Sequence, residues 1–349
     1  MDIKITGNRF KNLLSYEWVK IVISIVAGVI VWSLLFTMLA TRATIGEQFV
    51  FVVYENVYTQ NKNKNNQLLD DMKKDGVLSY DVLKTSVSPI TSAGQYSASY
   101  MLSLRATTQE GDVMIISDGR LSKVLEDGSD TESNSSSSMQ SDPYNAIKTA
   151  INSRYFYDIN AFLMDAKEYC LSTGGGFITP NADGSYSVNK SSIDSYFRQV
   201  RMKSADNYRK TYRTEEQIKQ AVELEIKRIT DVYENYLYLT SAIQTAKDNG
   251  ADFLWYGDIY DYDENGYLDE SKPTTYALGI DLYKLNSPFV GKEGSTVPKV
   301  EDTWYTYANG KTSSEGLVMC VFDFQYYQPD LQYESLAFLT HIVKTYSGY

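Results

Sequence analysis

A single histidine, His341, stands in a chain of 349 residues. One imidazole on an apparent C-terminal helix reads as a packing or surface residue, and it argues against a Ser-His-Asp or Cys-His mechanism and a His-rich metal site. Cysteine is nearly as scarce. Cys170 and Cys320 are too few for a disulfide scaffold and lack metal-ligand spacing, and the sequence leaves open whether they pair. Clustered bases are missing too: 33 Lys and Arg face 44 Asp and Glu, a net charge of −11. That balance argues against a nucleic-acid-binding face. The triple glycine Gly174–Gly176 lacks the Lys-Ser/Thr that completes a phosphate loop, so it reads as a turn.

What the chain does have begins with Ile21–Leu39, IVISIVAGVIVWSLLFTML, a run of 19 residues without a charge. As a helix it reaches about 28 Å, enough to cross a bilayer core. Lys4, Arg9, Lys11 and Lys20 precede it, whereas Arg42 is the only base between it and Lys62. The asymmetry predicts a cytoplasmic N-terminus and an extracytoplasmic C-terminal portion, hence a single-pass cell-membrane protein. The alternative is a cleaved signal peptide, since Thr41-Arg42-Ala43 offers small residues; the apolar core is longer than such peptides use. Residues 1–20 place Phe10, Leu13, Leu14 and Trp18 on one face, as in a short interfacial helix, and 21–40 form the anchor. Beyond Thr41, 29 bases meet 42 acids. Thirty tyrosines suit sugar or peptide binding, or equally the amphipathic edges of a β-rich core.

After the anchor the pattern alternates. Phe49–Tyr58 is a continuous apolar run like a buried parallel strand, and Asn65–Lys74 is helical and stopped by Gly76. Tyr80–Ile90 reads as a second strand, Gln95–Thr107 as a second helix, and Asp112–Asp118 as a third strand. The order β-α-β-α-β predicts an α/β unit with right-handed crossovers.

The block YMLSLRATTQEGDVMIISD within it resembles the first lobe of extracytoplasmic solute-binding proteins of ABC transporters, the type 2 periplasmic binding fold. Thr275–Leu285, Gly316–Phe324 and the helix Tyr333–Tyr346 resemble that family's return from the second lobe. Departures are the lack of a lipobox cysteine and a strongly helical middle. The resemblance implies residues 45–125 plus 275–349 as the α/β lobe, 143–274 as a largely helical second domain, and a transporter permease as partner.

Between the parts, residues 126–142 are acidic, Ser-rich and low in complexity, and read as a disordered loop. Asp142-Pro143 starts a helix expected to run to Cys170. Ser191–Met202 reads as another. Thr214 and Gln217 form a capping box, from which apolar residues recur at steps of three and four until Gly250. This long helix reads as a partner of the 143–170 helix in a bundle or as a coiled-coil contact.

Two candidate sites follow. Asp261, Asp263, Asn265, Gly266, Tyr267 and Asp269 match the start of a Ca²⁺ loop, with Lys272 where its bidentate Glu belongs. The competing reading is a hairpin turned at Asn265-Gly266. Trp255, Tyr256, Tyr260, Tyr262 and Tyr267, with Trp304, Tyr305 and Tyr307, suit a sugar-stacking surface or local packing. The second site lies at expected strand ends: Tyr54, Glu55 and Asp118, joined by Asp323, Tyr326 and Tyr327, an acidic and aromatic cleft for a polyhydroxylated or cationic ligand. No spacing singles out a glycosidase carboxylate pair, so the chain reads as a ligand-binding protein rather than an enzyme. The alternative is an assembly subunit of an envelope complex without a small ligand.

Overall fold

The computed structural model describes residues 7–39, 43, 47–61, 63–91, 96–118, 143–204, 212–261, 269, 271, 273–292, 294–308, 311–323 and 333–349. They fall into two units, residues 1–42 and 43–349. The first is built on helix α1 (Gly7–Leu39), 33 residues and about 50 Å long. The interfacial segment and the anchor are therefore one helix, because no proline interrupts Gly7–Leu39. Its stretch Trp18–Leu35 is long and apolar enough to cross a membrane, with Ile23, Val29 and Trp32 exposed.

The second unit begins with β1 (Gln48–Tyr54), β2 (Tyr58–Thr59), α2 (Lys64–Lys74), β3 (Lys84–Ile90), α3 (Ala98–Thr108) and β4 (Val113–Ser117). Next come α4 (Pro143–Asn152), α5 (Ile159–Ser172), β5 (Ile178–Pro180), β6 (Tyr186–Val188), α6 (Lys190–Tyr196) and α7 (Glu215–Asp248). The chain finishes with β7 (Leu254–Ile259), β8 (Thr274–Asp281), α8 (Leu282–Asn286), β9 (Trp304–Ala308), β10 (Lys311–Ser313), β11 (Leu317–Val321) and α9 (Tyr333–Tyr346).

The main sheet has six strands in the order β3-β1-β4-β11-β8-β7. β3, β1 and β4 are parallel, β11 runs antiparallel to β4 and β8, and β7 runs antiparallel to β8. The sheet is mixed, and helices cover both faces. Period-two alternation sends Phe49, Phe51 and Val53 towards α2, α5, α7 and α9, and Val52 and Tyr54 towards α3 and α4. Every residue of β4 and β11 is buried, which is why those strands read as unbroken apolar runs. Full burial of one such large side chain stabilises by roughly 1.5–3 kcal/mol.

Local signals explain the boundaries. Gly76 at φ +69° lets the end of α2 close on itself, and Val77 N–H donates to Met72 O at 2.9 Å. The capping box of α7 is complete: Gln217 N–H donates to Thr214 Oγ1, and Thr214 N–H to Gln217 Oε1.

Two expectations change, and the bundle reading of the long helix holds. The helix from Pro143 towards Cys170 is two helices, broken where Arg154 takes φ +55°, Phe156 bridges Phe322, and Asp158 caps α5 by accepting from Ala161 N–H. The long helix α7 packs against α5 and α9 within the chain, with Ile229, Val232 and Leu239 buried. β7, expected in a separate helical domain, is the edge strand of the main sheet, and residues 43–349 are one compact unit. Residues 126–142 lie outside the described residues. Cys170 is buried with the α5–α7 side of the core and Cys320 with the α3–α4 side; both are free thiols.

Candidate functional site

Parallel pairing of β3, β1 and β4 brings Ile90, Tyr54 and Ser117 to one end of the sheet. Just beyond β1, the Asn56 amide bridges to β4: its Nδ2 donates to Ser117 O and its Oδ1 accepts from Ser117 N–H, both at 3.1 Å. A side chain here adds one more rung of strand pairing. Asp118 follows, 3% exposed, with its N–H donating to Gly316 O at 2.8 Å. Gly316 takes φ +77°, and a Cβ there would stand 2.8 Å from Asp118 Oδ1, so glycine is required for the turn into β11.

A second, three-stranded sheet in the order β10-β9-β2 stands at this end. β2 pairs with β9 through Tyr58 opposite Tyr305 and Thr59 opposite Trp304. Along β9 the pleat turns Trp304 and Thr306 inwards, while Tyr307 is exposed and Tyr305 half-buried. Trp304 is wholly buried, donating from Nε1 to Asn65 Oδ1 at 2.7 Å and packing edge-on against Phe51. Tyr58, Tyr305 and Tyr307 form a cluster with ring centroids 5.0–5.9 Å apart. Tyr58 is 44% exposed and Tyr307 53%. The hydrogen bond with Tyr307 raises the Tyr305 hydroxyl above the ordinary phenol range. Three rings sharing one open surface offer apolar faces and hydroxyls together, the combination that recognises a polyhydroxylated ring.

The residues expected at a cleft divide between places. Glu55, at the end of β1, and Asp118 share the tyrosine end of the sheet. Tyr54 is also there, but its ring is enclosed in the α3–α4 side of the core and touches no open surface. Asp323 is at the other end: β11 runs antiparallel to β4, with Leu317 opposite Ser117 and Val321 opposite Val113. The expectation of a single cleft assumed that the return strand arrives parallel. Asp323 instead lies near Asp165, and burial together with that charge pushes its carboxyl up. Tyr326 and Tyr327 lie outside the described residues.

Of the Ca²⁺ loop, Asp263, Asn265, Gly266 and Tyr267 lie outside the described residues, as does Tyr262. Asp261 is engaged by the Arg154 guanidinium at 2.8 Å, and Asp269 Oδ1 accepts from the Ser271 N–H and hydroxyl. Among the described residues no group of three His, Cys, Asp or Glu side chains is placed to hold a metal. The flanking strands β7 and β8 do pair as a hairpin, Ile259 opposite Thr274.

Sequence reasoning singled out Tyr305 and Tyr307 but grouped them with Trp304 rather than Tyr58. The alternation along β9 separates inward from outward residues; the pairing with Tyr58 is long-range. It also missed a buried ionic cluster. Glu225, 0% exposed, accepts from Arg201 Nη1 (3.1 Å), Arg228 Nε (3.0 Å) and Nη2 (2.9 Å), and the Tyr80 hydroxyl (2.9 Å). Arg201 also donates to Asp81 at 2.5 Å, and Arg228 to the Tyr169 hydroxyl. The signal was legible: Glu225 falls on the apolar stripe of α7, between Val222 and Ile229. These donors satisfy both carboxylate oxygens of Glu225, so the cluster is a clasp between α7, the segment after α6 and the loop after α2. It is not an open site.

Comparison with known proteins finds no matching family model, curated protein or solved structure.

Proposed function

We propose that this chain is a membrane-anchored, extracytoplasmic ligand-binding protein that captures a polyhydroxylated ligand on the tyrosine cluster of β2 and β9. The carrying observation is the trio of the exposed Tyr58 and Tyr307 and the half-buried Tyr305, at the end of the sheet where Glu55 lies. Rings stack on the apolar faces of a sugar while hydroxyls and a carboxylate take its OH groups. A relation to one lobe of the type 2 periplasmic binding fold is part of the proposal, as is delivery to a transporter permease. Its support is the β-α-β-α-β unit, together with β8 and β11 joining the same sheet as β1 and β4.

Calorimetry of the purified chain against neutral oligosaccharides tests the reading. The double variant Tyr58→Ala/Tyr307→Ala is expected to weaken binding about tenfold, as two lost ring contacts of roughly 0.5–1.5 kcal/mol each imply. Its thermal midpoint should stay near wild type, since both rings are exposed. No heat with any saccharide, or heat unaffected by the double variant, refutes the platform.

Orientation is part of the same proposal, carried by the bases before Ile21 and the apolar length of α1. Protease added to intact spheroplasts is expected to digest residues 43–349 and leave an N-terminal stub. Protection of the C-terminal portion would reverse the orientation.

One observation favours the assembly reading as a second choice. Tyr96, just before α3, stacks on Tyr100, Leu104 follows one turn along the helix, and all three are 43–52% exposed. A membrane partner co-purifying with wild type but lost in Tyr100→Ser/Leu104→Ser would put this reading first.

A further inference from the structure

Three buried side-chain oxygens without a hydrogen-bond partner lie on one helix: Glu334 Oε2, Ser335 Oγ and Thr340 Oγ1 of α9. None of these residues is more than 4% exposed, and every residue from Tyr333 to Thr340 is buried. Buried polar atoms normally find partners, because enclosing them gives up their water. The first half of α9 therefore forgoes hydrogen bonds in its packed position that it would regain in solvent.

Glu334 fastens this end to the loop after α2. Ser79 Oγ lies 2.7 Å from Glu334 Oε1 and also contacts Asp81 Oδ1. A hydroxyl has one proton to donate, so both contacts hold only if one carboxyl carries a proton of its own. Asp81 Oδ2 accepts from Arg201, so both oxygens of Asp81 are acceptors and the extra proton sits on Glu334. The cation that faces Glu334 from α7 is Arg228, which donates to Glu225 and to the Tyr169 hydroxyl of α5. Arg201, at the end of the π-helical turn Phe197–Arg201 after α6, is divided between Asp81 and Glu225. Two guanidiniums thus offset two carboxylates, and a third carboxylate is in excess. Without the Glu334 proton, one of the two Ser79 contacts sets lone pair against lone pair.

We propose that α9 is a proton-gated latch: release of the Glu334 proton as pH rises parts the first half of α9 from the loop after α2, while the six-stranded sheet stays folded. Opening is easier here than in the sheet, because Ser335 and Thr340 gain hydrogen bonds on reaching water whereas β4 and β11 would lose theirs. Burial, then the charge of Asp81, holds the Glu334 carboxyl at about 8, which puts the working range between pH 6 and 8. The latch is separate from the tyrosine cluster and does not depend on saccharide binding there.

Amide hydrogen exchange of the full chain in detergent micelles tests it, with β4 as the internal reference. Corrected for the intrinsic rate, residues 335–340 should exchange at least about tenfold faster at pH 8 than at pH 6. The opening constant grows by up to about tenfold per unit while only the closed state holds the proton. At pH 8 these residues should also exchange faster than β4 and respond less to dilute urea, because a local opening exposes less surface than unfolding. Glu334→Gln keeps a donor for Ser79 at every pH and should retain its pH 6 protection at pH 8. Thr340→Val should slow the same residues at pH 8, since a methyl gains nothing from water. The proposal is overturned if residues 335–340 are as protected as β4 at pH 8, or if their urea response matches that of β4. It is overturned equally if either variant exchanges there as fast as wild type at pH 8.

Discussion

Glu225→Ala is expected to destabilise residues 43–349 by about 3–5 kcal/mol, a large part of the 5–15 kcal/mol that holds a typical domain. The carboxylate is wholly buried and faces two guanidinium groups that are each 3% exposed. Burial alone would push its carboxyl up. The charges of Arg228 and Arg201, with hydrogen bonds from Arg228 and Tyr80, outweigh that and bring it down to about 2. Removing it leaves two cations in a low dielectric, with Asp81 still accepting from Arg201. The cost therefore comes from stranded charge, more than from any net gain the intact cluster provides.

Two comparisons separate these effects in urea denaturation. Glu215→Ala removes the partner of Arg198 at 2.6 Å, but that pair is exposed and should cost less than about 1 kcal/mol. Glu225→Leu/Arg228→Met removes opposite charges together and should recover part of the loss seen in Glu225→Ala. A loss below about 1 kcal/mol for Glu225→Ala would show that water or rearrangement satisfies the arginines, and the clasp would not be structural.

Stability should also fall as pH rises from about 5 to 8, a second large effect, with Glu334 as its main source. This residue of α9 is 4% exposed, and burial, then the nearby Asp81, push its carboxyl up to about 8. The hydrogen bonds agree with a protonated acid. Ser79 Oγ contacts both Glu334 Oε1, at 2.7 Å, and Asp81 Oδ1. One hydroxyl proton cannot serve both. The consistent arrangement has Glu334 donating to Ser79 and Ser79 donating to Asp81, while Glu334 Oε2 is unpartnered as a neutral carbonyl oxygen. Two guanidiniums then face two carboxylates, and the cluster is neutral.

The sign follows from proton uptake. Unfolded, the Glu334 carboxyl releases its proton near its ordinary value of 4.5; folded, it releases it near 8. Between those values the folded state holds the extra proton, so stability drops with rising pH by up to about 1.4 kcal/mol per unit. Asp112 acts in the same direction, because enclosure of its carboxyl raises it to about 7 against the hydrogen bond from Val50 N–H. Glu225 has the opposite sign: its contribution is present above about 4.5 and is lost as pH falls towards 2. Maximum stability is expected near pH 5, with a loss of about 4–6 kcal/mol by pH 8 if both groups contribute. Glu334→Gln should flatten the alkaline limb and exceed wild type at pH 8. An unchanged slope in Glu334→Gln/Asp112→Asn would remove both groups as its cause.

Much of this protein was determined by local sequence. Nineteen uncharged residues suffice for a membrane-length helix, because a bilayer asks only for length and apolarity. Thr214, Gln217 and Gly76 set helix ends through bonds that span a few residues, and the apolar runs of β1 and β4 mark strands covered on both faces. The tertiary structure alone decided which strands meet and in which direction. Nothing within Gly316–Phe324 says that β11 runs against β4, yet that pairing sends Asp323 to the far end of the sheet from Asp118. Nothing within Tyr58 says that it pairs with Tyr305, or within Arg201 that it reaches Asp81 and Glu225 across three segments. Such contacts join residues far apart in the chain, and their energy comes from packing and enclosed charge that exist only after the layers close.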